Sequence, residues 1–359
     1  MTHARTNRGV GFRIWSPHVG HACHQQRARS GRFAPGMGRN SYGGIVAMQW
    51  TDTLVIGVAS SALFDLTESN AVFEEQGEDK YRSFQEAQYE EQLAPGIAFP
   101  FIRRLLGLND LATGSSPVVE VIVLSRNDPE TGARVMRSIE THGLPMTRAV
   151  FTQGSSPYKY MPAFGMKLFL SANPKDVAEA TELGFPAGQV VGSVADLEAD
   201  DPDDRDLRIA FDFDAVLADD SAERVYVAEG IEGYHEHETT LAEVPLPPGP
   251  MKDLLAAINQ IQDVEDARAK DDNTYKRRLF VSIVTARNAP AYARAIKSLK
   301  SWGLRVNDGF FLGGWEKSAV LEILRPHIFF DDQMSHLEGT QSHVPSVHVP
   351  FGIKNQPST

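Results

Sequence analysis

The chain contains a degenerate copy of itself, and that repeat limits its fold more than any other feature. Displaced by 160 positions, LSRNDPETGARVMRSIETHGL (124–144) lies on VTARNAPAYARAIKSLKSWGL (284–304) without a gap. Arg134 meets Arg294, Ser138 meets Ser298 and Gly143 meets Gly303. Further on, Gly154 falls on Gly314 and KLFLSAN (167–173) on HIFFDDQ (327–333). Nearer the start the displacement is 153, which sets IGVASSALF (56–64) on IAFDFDAVL (209–217) and Pro95-Gly96 on Pro248-Gly249. The helix expected after that shared Pro-Gly repeats its apolar stripe, Phe101, Ile102, Leu105 and Leu108 against Leu254, Leu255, Ile258 and Ile261. One insertion of seven residues before Thr285 reconciles the two displacements.

Each copy reads as a short β-branched strand ending in polar residues, an insertion with a helix, a second strand ending in Ser or Thr, a helix, and two more strands. Strands alternating with helices predict a parallel sheet covered on both faces, hence an α/β fold of two pseudo-symmetric lobes. We place the first lobe at 48–195, an acidic linker at 196–207 and the second lobe at 208–359, with an insertion at 219–277. Residues 1–47 stand apart, with seven arginines, no Asp or Glu and little apolar periodicity. They read as a disordered tail, as a transit peptide, or as a translation start placed too early, with Met48 the true one. His18, His21, Cys23 and His24 within it have metal-ligand chemistry, but in such a tail their spacing reads as coincidence.

A net charge of −12 argues against nucleic acid or an anionic membrane surface as the main partner, because both need clustered Lys and Arg. A single cysteine, Cys23, permits no intrachain disulfide, and no uninterrupted apolar run approaches a membrane span, so a cytoplasmic setting is expected.

Chemistry concentrates in the second copy. In FDFDAVL (211–217) Asp212 and Asp214 follow an apolar strand at a spacing that puts them on one face, where their charges repel unless a cation sits between them or one keeps its proton. Ligands of parallel sheets bind beyond the carboxyl ends of the strands. Asp212, Asp214, Thr285, Asp331 and Asp332 all fall at such ends, and Lys317 opens the helix that follows the FFLGG strand. Together they suit hydrolysis of a phosphate ester through a covalent intermediate. Asp212 would attack phosphorus, Asp214 would protonate the leaving oxygen and then activate water, Thr285 would bond the phosphoryl group and Lys317 would supply fixed charge. Asp212, Asp214, Asp331 and Asp332 are the candidate ligands of Mg²⁺, a hard ion that prefers carboxylate oxygen. Thr285, Ala286, Arg287, Lys317 and Phe213 are the residues expected at the substrate.

The order FDFDAVL, IVTAR, GGWEKSAVL, IFFDDQ resembles the four motifs of the haloacid dehalogenase (HAD) superfamily. Longer blocks from about residue 54 to about 350, among them SSALFDL, LSRNDPETGARV, HGLPMTRAVFTQGSSPYKYMPAF and RIAFDFDAVL, resemble the cytosolic 5′-nucleotidase type I family. The resemblance implies two Rossmann-like, HAD-like lobes with a small cap formed by the insertion. It also implies Mg²⁺-dependent hydrolysis of nucleoside 5′-monophosphates such as AMP or IMP through an aspartyl-phosphate, and a homo-oligomer. That family usually has glycine where this chain has Phe213. Rival readings are another HAD-type phosphatase acting on a small phosphate ester, a carbon–halogen hydrolase, which has no use for Asp214, and a nucleotide-binding sensor without turnover. His235 and His237 in the insertion read as polar cap residues, and DLEADDPDDRDL (196–207) as a solvated linker without calcium.

The first copy is stripped of this equipment. Ala59 and Ser61 stand for Asp212 and Asp214, Ser171 and Ala172 for Asp331 and Asp332, and Pro157 for Lys317. It is expected not to hydrolyse anything, and to act as scaffold or as an effector or base site built from Ser125, Arg126, Asn127 and Lys159. The family resemblance implies an ADP-like effector for such a site.

Overall fold

The computed structural model describes residues 53–114, 116–197 and 200–356, and the histidines and cysteine of the tail lie outside them. In the first half the strands are β1 (Leu54–Val58), β2 (Val119–Ser125), β3 (Arg148–Phe151), β4 (Leu168–Ser171) and β5 (Ala187–Val191). Those of the second half are β6 (Leu207–Phe211), β7 (Leu279–Thr285), β8 (Asp308–Phe311), β9 (Ile328–Asp331) and β10 (Ser346–His348). Helices α1 (Ser60–Leu63), α2 (Thr67–Gln76), α3 (Glu78–Ala87), α4 (Phe99–Gly107), α5 (Pro129–Thr141) and α6 (Pro174–Glu182) belong to the first half. Helices α7 (Ser221–Thr240), α8 (Lys252–Asp271), α9 (Tyr292–Ser301), α10 (Lys317–Leu324) and α11 (Met334–Glu338) belong to the second.

All the strands join one mainly parallel sheet in the order β3-β2-β1-β4-β5-β10-β9-β6-β7-β8. Strands such as LVIGV and VEVIVLS are buried along their whole length, as expected where helices cover both faces. The order 3-2-1-4-5 on one side is matched by 8-7-6-9-10 on the other, and the two runs meet where β5 and β10 pair antiparallel, Val191 against Ser346. In each run the first strand, β1 or β6, has neighbours from both directions of winding, so a crevice opens at its carboxyl end.

The matched residues of the repeat do matched work. Ser138 Oγ accepts from Leu93 N at 3.0 Å and Ser298 Oγ from Leu246 N at 2.9 Å. Arg134 Nε donates to Glu91 O at 3.0 Å and Arg294 Nε to Val244 O at 2.9 Å. The shared Pro-Gly pairs make isolated antiparallel bridges, Phe64 to Pro95 and Ala218 to Pro248. Their glycines admit no side chain, since a Cβ would sit 2.8 Å from Ala62 O at Gly96 and 2.2 Å from Ala218 O at Gly249. The seven-residue difference is taken up where Asn109 Nδ2 reaches Val119 O in one half and Gln262 Nε2 reaches Leu279 O in the other.

Helix α8 buries Leu254, Leu255, Ile258 and Ile261 in the main core, as α4 buries Phe101, Ile102 and Leu105. The part of the insertion at 252–271 thus packs its apolar stripe into the same core as the strands. Two consecutive arginines of α4 hold the acidic linker: Arg104 Nη2 lies 2.6 Å from Asp200 Oδ1, and Arg103 Nη1 donates to Pro202 O at 3.1 Å. No helix among the described residues is long and apolar enough to cross a membrane.

Candidate active site

Four of the charged residues singled out in the sequence meet at the carboxyl ends of β6 and β9. Asp212 follows β6 directly, and its backbone N donates to Phe330 O at 2.8 Å, which ties the loop to β9. Asp212 is 4% exposed; its Oδ2 lies 3.1 Å from Lys317 Nζ, and Oδ1 has no hydrogen-bond partner. Burial pushes Asp212 up to about 6, Lys317 opposing and Asp331 and Asp214 adding to the rise. Lys317, the first residue of α10, places Nζ 2.6 Å from Asp331 Oδ2 as well. Burial alone would lower its pKa, but Asp212 and Asp331 reverse the effect and keep the ammonium charged. At the end of β9, Asp331 also accepts from Gln333 N at 2.8 Å and lies 3.1 Å from His336 Nδ1. Burial works against its charge, yet Lys317 and His336 hold its pKa below the usual carboxylate range.

Asp332 is the exception. It is 1% exposed, neither oxygen has a partner, and burial with the charges of Asp212 and Asp331 pushes it up to about 9. Glu223, from the first turn of α7, is a residue that the sequence reading missed. Burial raises it to about 7, against the pull of Lys354; Gln333 Nε2 donates to its Oε1 at 3.2 Å, and its Oε2 has no partner.

Asp214 is placed differently from Asp212. Immediately after it Ala215 takes φ +56°, a conformation that costs a non-glycine residue free energy and turns the chain sharply out of the strand direction. Both Asp214 oxygens accept from Arg287, Oδ2 from Nε and Oδ1 from Nη2, each at 2.7 Å. Arg287, expected at the substrate, is 2% exposed, and its remaining donor goes to Glu238 of α7 and to Ala291 O. Phe213, also expected there, points the other way into the core, stacked 6.2 Å from Trp302. Thr285, buried at the end of β7, accepts from Arg287 N through Oγ1 at 3.3 Å, and Ala286 is exposed at the rim. His235 and His237 do not form a pair: His235 Nε2 meets Asn288 Oδ1 at 3.2 Å and His237 Nδ1 meets Glu238 Oε1 at 3.1 Å.

The corresponding rim of the first half is closed by its own side chains. Asn127 N donates to Ser125 Oγ at 3.1 Å, as Arg287 N does to Thr285. Arg126 Nε reaches Asp176 Oδ1 at 3.2 Å and its Nη2 binds Glu179, while Ser171 Oγ donates to Asp176 Oδ2 at 3.0 Å. Lys159 is exposed, its ammonium 5.3 Å from the Tyr160 ring centre.

The donor set suits a hard divalent cation. Asp212, Asp331 and His336 offer atoms within 4.8 Å of one another, and Oδ1 of Asp212 and both oxygens of Asp332 are buried acceptors without a hydrogen-bond partner. His336, five residues after Asp331, was not singled out in the sequence. The site thus sets a strand-end aspartate, braced by a buried lysine, beside a carboxylate pair at the end of the neighbouring parallel strand. The 5′-nucleotidase family model matches residues 46–356, and the chain belongs to that family. It is similar to cytosolic 5′-nucleotidase 1B of Homo sapiens, 32% identical over 299 residues that cover 81% of this chain and 47% of the human protein. The chain thus spans about half the length of that relative. No solved structure matches it.

Proposed function

We propose that the protein hydrolyses nucleoside 5′-monophosphates of the AMP or IMP kind to nucleoside and phosphate, in the cytosol that the human relative's name specifies for that protein. The observation that carries this reading is the state of Asp212: Lys317 anchors one carboxylate oxygen and leaves the other without a partner, as an attacking group requires. Asp212 Oδ1 attacks phosphorus, the P–O5′ bond breaks, and Asp214 protonates the departing oxygen. Water then attacks the phosphorus of the aspartyl-phosphate, Asp214 takes its proton, and phosphate leaves with Asp212 restored. Lys317 and the Thr285 hydroxyl bear on the charge and position of the phosphoryl oxygens. Mg²⁺ held by Asp212, Asp331 and Asp332 would neutralise phosphoryl charge.

In this reading the halves 48–195 and 208–359 descend from one duplicated unit, joined by 196–207, and α7 forms the cap. The matched hydrogen bonds and mirrored strand order support it. The first half serves as scaffold, because an anion arriving at Ser125 and Arg126 would have to displace Asp176 and Glu179. Measuring inorganic phosphate from a panel of nucleoside monophosphates, with Mg²⁺ and with EDTA, tests the proposal. Release that requires Mg²⁺ is expected; none at all, or release that persists in EDTA, would overturn it.

A further inference from the structure

Behind Asp214 lies a buried line of alternating charges that the first half lacks. Glu238 of α7 is 0% exposed, and it accepts from Arg294 Nη1 through Oε1 at 2.6 Å and from Arg287 Nη1 through Oε2. Arg287 in turn grips Asp214 with its two other nitrogens. The equivalent places in the first half, at displacements of 153 and 160, hold Gln85 for Glu238, Asn127 for Arg287 and Ser61 for Asp214. Arg134, the counterpart of Arg294, donates Nη1 to Gln85 Oε1 at 3.1 Å in a slot of the same shape. A neutral amide therefore satisfies this slot, and a buried carboxylate costs several kcal/mol of desolvation that only well-placed partners offset. The costlier residue occurs in the half that has a carboxylate at 214 to be held.

We infer that Glu238 is a positioning residue for the reaction. It fixes the Arg287 guanidinium so that the remaining donors hold Asp214 in one orientation, and it ties that orientation to helix α7. Arg287, read from the sequence as a substrate contact, acts in the same way through Asp214. The inference rests on the role proposed above for Asp214 as acid and base.

The test is steady-state turnover of AMP with Mg²⁺. Glu238→Gln, which copies the residue of the first half, should lower kcat about tenfold or more with KM within about twofold, since misplacing a catalytic group slows chemistry without removing a substrate contact. Glu238→Asp, which keeps the charge, should recover part of the loss. In protein already carrying Asp214→Asn, adding Glu238→Gln should change kcat by less than about twofold, because a residue acting only through Asp214 has nothing left to position. Arg287→Lys, which keeps charge but loses the two-pronged grip, provides a second route and should show the same non-additivity. Full activity of Glu238→Gln, or losses that multiply with that of Asp214→Asn, would overturn the inference. A parent protein that releases no phosphate would overturn the functional reading itself, and the role of Glu238 with it.

Discussion

Lys317 binds Asp212 across the gap between α10 and β6, Nζ to Oδ2 at 3.1 Å, and the same ammonium holds Asp331 at 2.6 Å. One buried cation thus serves two buried carboxylates, with a third, Asp332, uncompensated beside them.

Replacing Asp212 by Asn removes the attacking oxygen and keeps the side-chain shape. Phosphate release from AMP should fall below detection, while the thermal midpoint stays equal or rises because a buried charge is gone. A variant that turns over at a rate comparable with the parent would end the covalent mechanism.

Lys317→Met should leave the site with surplus negative charge. Breaking a buried ion pair from one side typically costs about 3–5 kcal/mol, so the variant should melt well below the parent in EDTA. Added Mg²⁺ should restore more of its midpoint than it adds to the parent, since the cation offsets the charge that lysine no longer meets. Calorimetric scans at two Mg²⁺ concentrations read both effects.

Asp332→Asn should act in the opposite direction on stability. Removing a buried carboxylate without partners should raise the midpoint in EDTA, and the concentration of Mg²⁺ needed for half-maximal phosphate release should also rise. A lower midpoint, together with an unchanged Mg²⁺ requirement, would show that Asp332 is neither a strained charge nor a ligand.

Away from the site, burial and then the charges of Arg104 and Arg208 push His327 down to about 3. Below its ordinary value of 6.5 the unfolded chain takes up a proton that the folded chain refuses, so this residue's contribution to stability is lost as pH falls from about 6.5 toward 3. At pH 4.5 the loss is about 2–3 kcal/mol. His327→Gln, whose carbonyl can replace Nδ1 as acceptor for Arg208 N, should flatten the decline in urea stability between pH 7 and pH 4.5.

The positions of Asp212, Thr285, Lys317 and Asp331 were legible because they depend on local rules: the period of a strand, the alternation of strand and helix, and the end of the strand at which a helix begins. The repeat was legible because Ser138 and Ser298, or Gly96 and Gly249, satisfy the same backbone contacts and tolerate little change. Glu223, Glu238 and His336 were not, because they reach the site from helices whose rotation is decided by packing. Arg287 was visible as a motif residue, but its partners were not, since Glu238 lies far off in sequence and Ala215 turns Asp214 toward it. Phe213 was not assigned to the core because β6 ends at Phe211 and the turn beyond it, not a strand period, aims the side chain.

The antiparallel seam between β5 and β10 matters during synthesis on the ribosome. Strand β5 has β4 on one side only until β10 emerges, and Val190 pairs with Val347 across the remaining edge. A nascent chain that has made β1 to β9 but not β10 exposes that edge beside the unfilled edge of β9. Open strand edges recruit other chains. Protein truncated before Ser346 should therefore be lost to aggregation even with all the residues that touch the phosphoryl group in place, so the last strand of the sheet guards solubility as well as architecture.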